Sequence, residues 1–147
     1  MTPPDSIKSM VERCRAGEER AVVARLHSGW VVLAQCQVLD GYCLLLPDPV
    51  VADLNALGND LRARFLTDMA AVGDALLALT GAVRINYAIY GNVDPVLHAH
   101  IFPRFASEPQ ATRTAQPFAL DWAAAPRFSV ELHGDLQQRL HERLQGL

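Results

Sequence analysis

One long helical pattern divides the chain and constrains its fold more than any other feature. Apolar residues recur at every third or fourth position, as on one buried face of an α-helix: Leu54, Leu57, Leu61, Phe65, Met69, Val72, Leu76 and Leu79. Charged residues such as Asp68 fall mostly between them, and Gly81 is expected to end the helix. The pattern predicts a helix that packs on a core and has no chemistry of its own.

The segments on both sides of this helix have the composition of strands. Five runs are rich in apolar, β-branched or aromatic residues: 21–26, 30–35, 42–46, 84–90 and 96–102. Ser28-Gly29 is expected to join the first two runs as a hairpin, and Pro47 to stop the third. Strands, one long helix and strands again predict an α+β fold with a mostly antiparallel sheet.

Shorter helices are predicted near the two ends of the sequence. Asp5 or Ser6 can cap a helix that reaches about Arg15 and ends at Gly17. Leucines at four-residue spacing predict an amphipathic helix over residues 131–145. The segment between Pro103 and that helix reads as loop, and no linker suggests a second domain. We therefore expect a single domain spanning residues 1–147.

Composition limits the class of protein. Half of the 147 residues are hydrophobic, and the formal net charge is -3. A weakly acidic chain is a poor candidate for nonspecific nucleic-acid binding, which needs a basic face to neutralise phosphates. No apolar run approaches the roughly 18 residues that span a bilayer, and residues 1–5 lack the features of a signal peptide. We expect a cytosolic protein with neither a nucleic-acid nor a membrane partner, and with reduced cysteines.

His98 and His100 are the candidate reactive residues. They lie two positions apart in a predicted strand, so their side chains should share one face. Three interpretations are open: two structural histidines satisfied by hydrogen bonds, a metal site, or nucleophilic catalysis on phosphorus. A neutral imidazole is a competent nucleophile near pH 7, and a second ring can hydrogen-bond a phosphate oxygen as charge develops.

A metal site is the weaker of the two chemical interpretations. His-x-His is a known ligand spacing, but a metal needs a third and usually a fourth ligand. His27, His133 and His141 lie far along the chain in segments without a ligand pattern, and Asp94 lies in a turn. We therefore expect no metal site and no cofactor.

The run His98-Ala99-His100-Ile101-Phe102-Pro103-Arg104 resembles the signature of the histidine-triad (HIT) family. In that signature three histidines alternate with apolar residues, and Pro-Arg often follows. His98 matches the middle histidine and His100 the last, whereas Val96 stands where the first would be. Three further segments look like family strands: Trp30 to Gln35, Asp40 to Pro47 and Asn86 to Asn92.

The resemblance covers about residues 20–105 and leaves 106–147 as a C-terminal extension. It implies a HIT-like α+β fold and, as in most of the family, a homodimer. In the family the middle histidine attacks the α-phosphorus of a nucleotide, and water or another acceptor then resolves the covalent nucleotidyl-histidine. By resemblance, His98 is the nucleophile, and His100 contacts the phosphate and helps pass a proton to the leaving group.

The implied activity is that of a nucleotide hydrolase or transferase. Dinucleoside polyphosphates and nucleoside phosphoramidates are the candidate substrates. No metal is required to create the nucleophile, although Mg²⁺ can accompany a polyphosphate. The main alternative is a nucleotide-binding module without turnover, because Val96 leaves the triad incomplete.

The resemblance also implies substrate-binding residues. Asn92 would donate to a phosphate, Gln35 would hold the ribose hydroxyls, and Tyr42 would offer a hydroxyl where many relatives have histidine. Arg104 would sit near phosphate or cross a subunit boundary. Each has a structural alternative: a turn residue, an exposed strand glutamine, a strand aromatic and a surface salt bridge, respectively.

Two further expectations concern geometry. The backbone carbonyl of Val96 remains available to accept a hydrogen bond from His98 Nδ1, which would leave His98 Nε2 free to attack. Both histidines should face an open cleft if they act on a ligand. Trp30 could wall a base pocket, but we expect it in the core.

Overall fold

The computed structural model describes residues 6–146. Its helices are α1 (Ile7–Ala16), α2 (Asn59–Thr80) and α3 (Val130–Gln145), and its strands are β1 (Val22–Arg25), β2 (Gly29–Leu33), β3 (Cys43–Pro47), β4 (Arg84–Ala88) and β5 (Ala99–Arg104). Short 3-10 helices cover Leu54–Ala56 and Pro117–Ala119. The predicted α+β fold is confirmed.

All five strands pair antiparallel in one sheet, in the order β1-β2-β3-β5-β4. The hairpin expected at Ser28-Gly29 joins β1 to β2. Strand β3 lies at the centre and pairs with β5, which places Leu44 opposite His100. Strand β4 is an edge strand, because only β5 pairs with it.

Both faces of the sheet are covered, and this explains why β3 is apolar throughout. Helices α2 and α3 pack on one face, where Phe65 and Leu76 meet Leu45. Helix α1 packs on the other face, where Val11 meets Leu44. All five residues of β3 are buried, so the strand lacks the alternation of a one-sided sheet.

The long helix differs from its prediction at the N-terminal end. Leu54–Ala56 form a separate 3-10 turn, and α2 begins at Asn59 after Gly58. Gly81 ends α2 in the left-handed conformation, as predicted. Asp68, expected on the polar face, is buried because its carboxylate accepts hydrogen bonds from the backbone N and Oγ of Ser28.

The strand that carries His100 also differs from its predicted bounds of 96–102. Strand β5 begins at Ala99, and Leu97 instead donates its backbone N–H to Val51 O. The strand continues through Pro103 to Arg104. Its pairing with β3 ends at Ile101, so the missing amide of Pro103 interrupts no bond of that ladder.

The terminal helices agree with the sequence patterns. The Ser6 side chain caps α1 and Gly17 ends it with a φ of 73°; the alternative cap, Asp5, lies outside the described residues. Helix α3 covers the predicted leucine repeat, and the segment before it is irregular apart from one 3-10 turn. Within residues 6–146, no helix is long and apolar enough to cross a membrane.

Candidate active site

The imidazoles of His98 and His100 lie side by side at one pocket. His98 directly precedes β5 and His100 is its second residue. The two ring centroids are 4.9 Å apart, and both side chains are half-buried. They line an open pocket of about 460 Å³ with six other residues: Tyr90, Gly91, Asn92, Val93, Asp94 and Phe118. The two histidines thus share a face, as their spacing predicts, and both line an open cleft, as expected if they act on a ligand.

His98 has a defined tautomer. Its Nδ1 lies 2.7 Å from the backbone oxygen of Val96. A carbonyl oxygen can only accept, so Nδ1 carries a hydrogen, and in the neutral form of the ring Nε2 carries the lone pair. This is the hydrogen bond expected from the sequence, and a valine at position 96 supplies it as well as any residue because the acceptor is backbone.

His100 is bonded to a different kind of partner. Its Nδ1 lies 2.7 Å from the hydroxyl oxygen of Tyr42. Tyr42 is only 3% exposed, and burial raises the pKa of its hydroxyl well above the ordinary value. The hydroxyl therefore stays protonated. In the described part of the chain it has no other hydrogen-bond partner, so its hydrogen is donated to His100 Nδ1.

The tautomer of His100 is consequently opposite to that of His98. Because Nδ1 accepts from Tyr42, Nε2 carries the hydrogen. Burial, followed by the neighbouring His98 ring, lowers the pKa of His100 to about 4, so the ring is neutral at pH 7. A lone pair on one ring and an N–H donor on the next can attack a phosphorus atom and stabilise the charge that develops on its oxygens.

Tyr42 lies behind His100 rather than in the pocket. It lies just before β3, stacks on Phe102 with centroids 4.1 Å apart, and meets the edge of Trp122 at 5.8 Å. It is not among the residues that line the pocket. The structure thus places the Tyr42 hydroxyl against His100 and outside the pocket lining, and a direct contact of Tyr42 with substrate stays a prediction.

Asn92 lies where the sequence places it, in the exposed loop that forms one side of the pocket. The neighbouring Asp94 anchors this loop, because its Oδ2 accepts from the backbone N of Ile7 at 2.7 Å. Helix α1 thus fixes the loop that carries Asn92.

The structure does not bring Arg104 to the histidine pocket. Its buried guanidinium forms an ion pair with Glu108 at 2.9 Å and also donates to Asn86 Oδ1. Three backbone oxygens accept further hydrogen bonds from it: those of Thr112, Arg113 and Ala115. Arg104 is therefore committed to holding the loop after β5, and its salt bridge is buried rather than on the surface.

Gln35 and Trp30 also lie outside the pocket lining. The backbone oxygen of Gln35 accepts from Phe128 N at 2.7 Å, so the chain before α3 runs alongside this position. Trp30 packs with the α1 cluster, and its Nε1 donates to Asp48 Oδ2 at 2.9 Å. Trp30 is therefore only partly buried and packs against the edge of the core rather than within it, where the sequence predicted it.

The two aromatic residues of the pocket, Tyr90 and Phe118, were not predicted as site residues. Tyr90 was assigned to a strand, but β4 ends at Ala88 and leaves Tyr90 in the pocket loop. Phe118 lies in the C-terminal extension, whose role the sequence did not indicate. Pro117 at the start of its 3-10 turn was the only local signal of ordered structure there. Among residues 6–146, no three His, Cys, Asp or Glu side chains are grouped to hold a metal ion.

Solved structures of histidine-triad proteins share this architecture. A histidine triad protein from Bradyrhizobium japonicum superposes with a TM-score of 0.72 at 21% identity, over 88% of this chain and 93% of that one. A hypothetical histidine triad nucleotide-binding protein from Sulfolobus tokodaii gives 0.72 at 18% identity, over 95% and 93%.

A third structure, a histidine triad protein from Marinobacter aquaeolei, gives 0.69 at 23% identity, over 92% of this chain and 95% of that one. No family model and no curated protein matches the sequence. The chain therefore has the histidine-triad fold, and the fold implied by the sequence resemblance is confirmed.

Proposed function

We propose that the protein is a nucleotide hydrolase or transferase that acts at the α-phosphate through a covalent nucleotidyl-His98 intermediate. The complementary tautomers of His98 and His100 carry this proposal. Two structural histidines would need neither a lone pair nor a hydrogen-bond donor facing an open pocket, whereas attack on a phosphate needs both. The proposal keeps the cytosolic location that composition indicated.

In the first step, the Nε2 lone pair of His98 forms a bond to phosphorus, and the bond from phosphorus to the leaving group breaks with its electron pair. The Val96 carbonyl stabilises the positive ring that results, because it already accepts from Nδ1. In the second step, water or another acceptor attacks phosphorus, loses a proton to solvent, and returns the N–P electron pair to His98.

His100 acts as a hydrogen-bond donor rather than as a proton source. The pKa of about 4 describes loss of a proton from the positively charged ring, so at pH 7 His100 is neutral and carries a single N–H. A neutral imidazole loses that remaining hydrogen only in strong base, so His100 does not act as an acid at pH 7. Its Nε2–H can still stabilise the phosphate oxygens in the transition state. A polyphosphate leaving group departs as an anion and needs no proton, whereas an amine takes its proton from solvent.

We propose that Asn92 contributes a second donor to the phosphate, because its side chain is exposed in the loop that lines the pocket. Tyr42 is assigned to positioning His100. Arg104 is left out of the proposed substrate site, because its guanidinium is bonded to Glu108, Asn86 and three backbone oxygens. A ribose contact for Gln35 stays a prediction.

Turnover separates this proposal from its alternatives. Diadenosine polyphosphate and an adenosine phosphoramidate are incubated with the wild type and with His98→Ala. We expect wild-type turnover and a loss of at least about 10³-fold in kcat for His98→Ala. His27→Ala is the matched control, because His27 is an exposed histidine that does not line this pocket, and it should retain full activity.

Tight nucleotide binding without turnover on a broad substrate panel would contradict the enzyme and favour the non-catalytic binding module. That alternative is supported by the valine in place of the first triad histidine. Stoichiometric, tightly bound zinc would instead favour the metal-binding interpretation.

We also propose a homodimer through β4 and α2. Leu66, Gly73 and Leu77 are spaced to share one face of α2, and both leucines are exposed. A Cβ on Gly73 would lie 1.9 Å from the Tyr87 hydroxyl, so this face adjoins the exposed Tyr87 ring of the edge strand. Apolar exposure beside an unpaired strand edge favours association. Sedimentation should give the dimer mass, and a monomer at every concentration would refute it.

A further inference from the structure

Two exposed aromatic side chains, Tyr90 and Phe118, form one side of the histidine pocket, here called the aromatic wall. Tyr90 is 57% exposed and Phe118 is 44% exposed. Their ring centroids are 5.4 Å apart, with an angle of 82° between the planes. Both line the same pocket as His98 and His100. The exposed faces of these rings are apolar surface beside the two histidines. A ligand that covers this surface binds more tightly, because removing apolar surface from water is favourable.

Phe118 is held in place by the residues behind it. Its ring stacks on Trp122 with centroids 5.4 Å apart and an interplanar angle of 7°. Trp122 Nε1 donates to the backbone oxygen of Pro117 at 3.0 Å, which closes the short turn that presents Phe118. Because the ring is already ordered, little conformational entropy is lost when a ligand packs against it.

The aromatic wall adjoins His100 and not His98. The Phe118 and His100 centroids are 5.1 Å apart, and those of Tyr90 and His100 are 6.5 Å apart. Neither wall residue has a ring contact with His98 in the described structure. When His98 attacks in line, the leaving group departs from the side of phosphorus opposite Nε2. Because both wall rings contact His100 and neither has a described ring contact with His98, the wall lies on the His100 side of the pocket, where a group leaving opposite His98 could reach it.

We propose that the aromatic wall binds a planar aromatic ring carried by the leaving group of the substrate. The inference rests on the proposed function, because it takes His98 as the attacking residue. The wall side chains are uncharged, so recognition uses ring stacking and apolar contact rather than an ion pair. The substrate class is thus a nucleoside phosphate whose leaving group is an aryl or heteroaryl amine, alcohol or phosphate.

Two matched substrates test this proposal: adenosine 5′-phosphoramidates of benzylamine and of cyclohexylmethylamine. They share the nucleotide and differ in whether the leaving-group ring is aromatic. Because benzylamine is also the weaker base and the better leaving group, the test is the change in the ratio between the wild type and the wall variants. The wild type should prefer the benzyl compound in kcat/KM by about two- to tenfold, the range expected for one aromatic pair. Phe118→Leu and Tyr90→Leu should each move this ratio toward one while retaining apolar packing.

Leu132→Ala is the control, because Leu132 is an exposed apolar residue on α3 and lies outside the pocket lining. It should keep the wild-type ratio. An unchanged ratio in both wall variants would overturn the proposal. Tyr90 is the more exposed of the two wall residues, so Tyr90→Leu remains informative even if Phe118→Leu fails to fold.

A binding measurement separates failure of this proposal from failure of the proposed function. Calorimetry on His98→Ala, with and without Phe118→Leu, gives the Kd ratio of the same two compounds without turnover. A benzyl preference that depends on Phe118 supports the wall even if the wild type turns over no substrate. If adding Phe118→Leu instead weakens the binding of AMP relative to ribose 5-phosphate and leaves the Kd ratio of the benzyl and cyclohexylmethyl compounds unchanged, the wall binds the nucleobase. That result would overturn the leaving-group assignment.

Discussion

Replacing Tyr42 by Phe tests whether the buried hydroxyl sets the tautomer of His100. The substitution keeps the ring that stacks on Phe102 and removes only the oxygen that lies 2.7 Å from His100 Nδ1. His100 then has no donor on Nδ1, so the hydrogen is free to occupy either nitrogen. The change is confined to one hydrogen bond because the surrounding aromatic contacts involve the ring.

The expected magnitude follows from the worth of one buried hydrogen bond. Its net contribution is about 1 kcal/mol, or about fivefold in an equilibrium. We therefore expect the free energy of unfolding to fall by about 1 kcal/mol and kcat to fall about fivefold. KM should change little, because Tyr42 does not line the pocket.

Nitrogen-detected NMR of the histidine rings measures the tautomer directly. In the wild type His100 should carry its hydrogen on Nε2, and in Tyr42→Phe the Nδ1–H form should become detectable. Tyr87→Phe serves as the control, because the Tyr87 hydroxyl lies against Gly73 of α2 and has no described contact with the His100 ring, so the His100 signals should be unchanged. A wild-type His100 that carries its hydrogen on Nδ1 would refute the reasoning, whatever the kinetics of the variant.

Two other predictions concern stability. Because folding lowers the pKa of His100 from 6.5 to about 4, the unfolded state binds more protons than the folded state between these pH values. The free energy of unfolding should therefore fall as the pH drops from about 6.5 to 4 and level off below. Denaturation at several pH values should show a smaller dependence of stability on pH for His100→Gln, and an equal dependence would contradict the shift. Arg104→Met should lower the free energy of unfolding by about 3–5 kcal/mol, because it leaves Glu108 buried without its partner. Denaturant titration measures this, and Glu108→Gln with Arg104→Met should recover part of the loss if the unpaired charge is the cause.

The sequence predicted the elements whose residues follow a strict period. The repeat from Leu54 to Leu79 predicts α2, although its first residues form a separate 3-10 turn, and the spacing of His98 and His100 predicts their shared face. Asp68 broke the pattern, because its burial depends on Ser28, which is distant in sequence and contacts it only in the folded chain.

The candidate site was predictable only in part, for a similar reason. The bond from His98 to Val96 is local and could be expected, whereas the bond from His100 to Tyr42 depends on the pairing of β3 with β5. The resemblance suggested that Arg104 lies near phosphate. Its true partners, a carboxylate and several backbone oxygens, could not be predicted because they lie in an irregular loop. Phe118 comes from that same irregular segment, so no periodic pattern marks it.

The proposed mechanism depends most on His98 as a covalent nucleophile. Rapid acid-free quenching of wild-type protein with an adenosine phosphoramidate, followed by mass spectrometry of the peptides, should find adenylate attached to the peptide that contains His98. The same adduct should be lost in mild acid, because a phosphorus–nitrogen bond to imidazole is acid-labile, and it should be absent from His98→Ala. Turnover of the substrate with no adduct at any quench time, or an adduct on His100, would contradict the central claim.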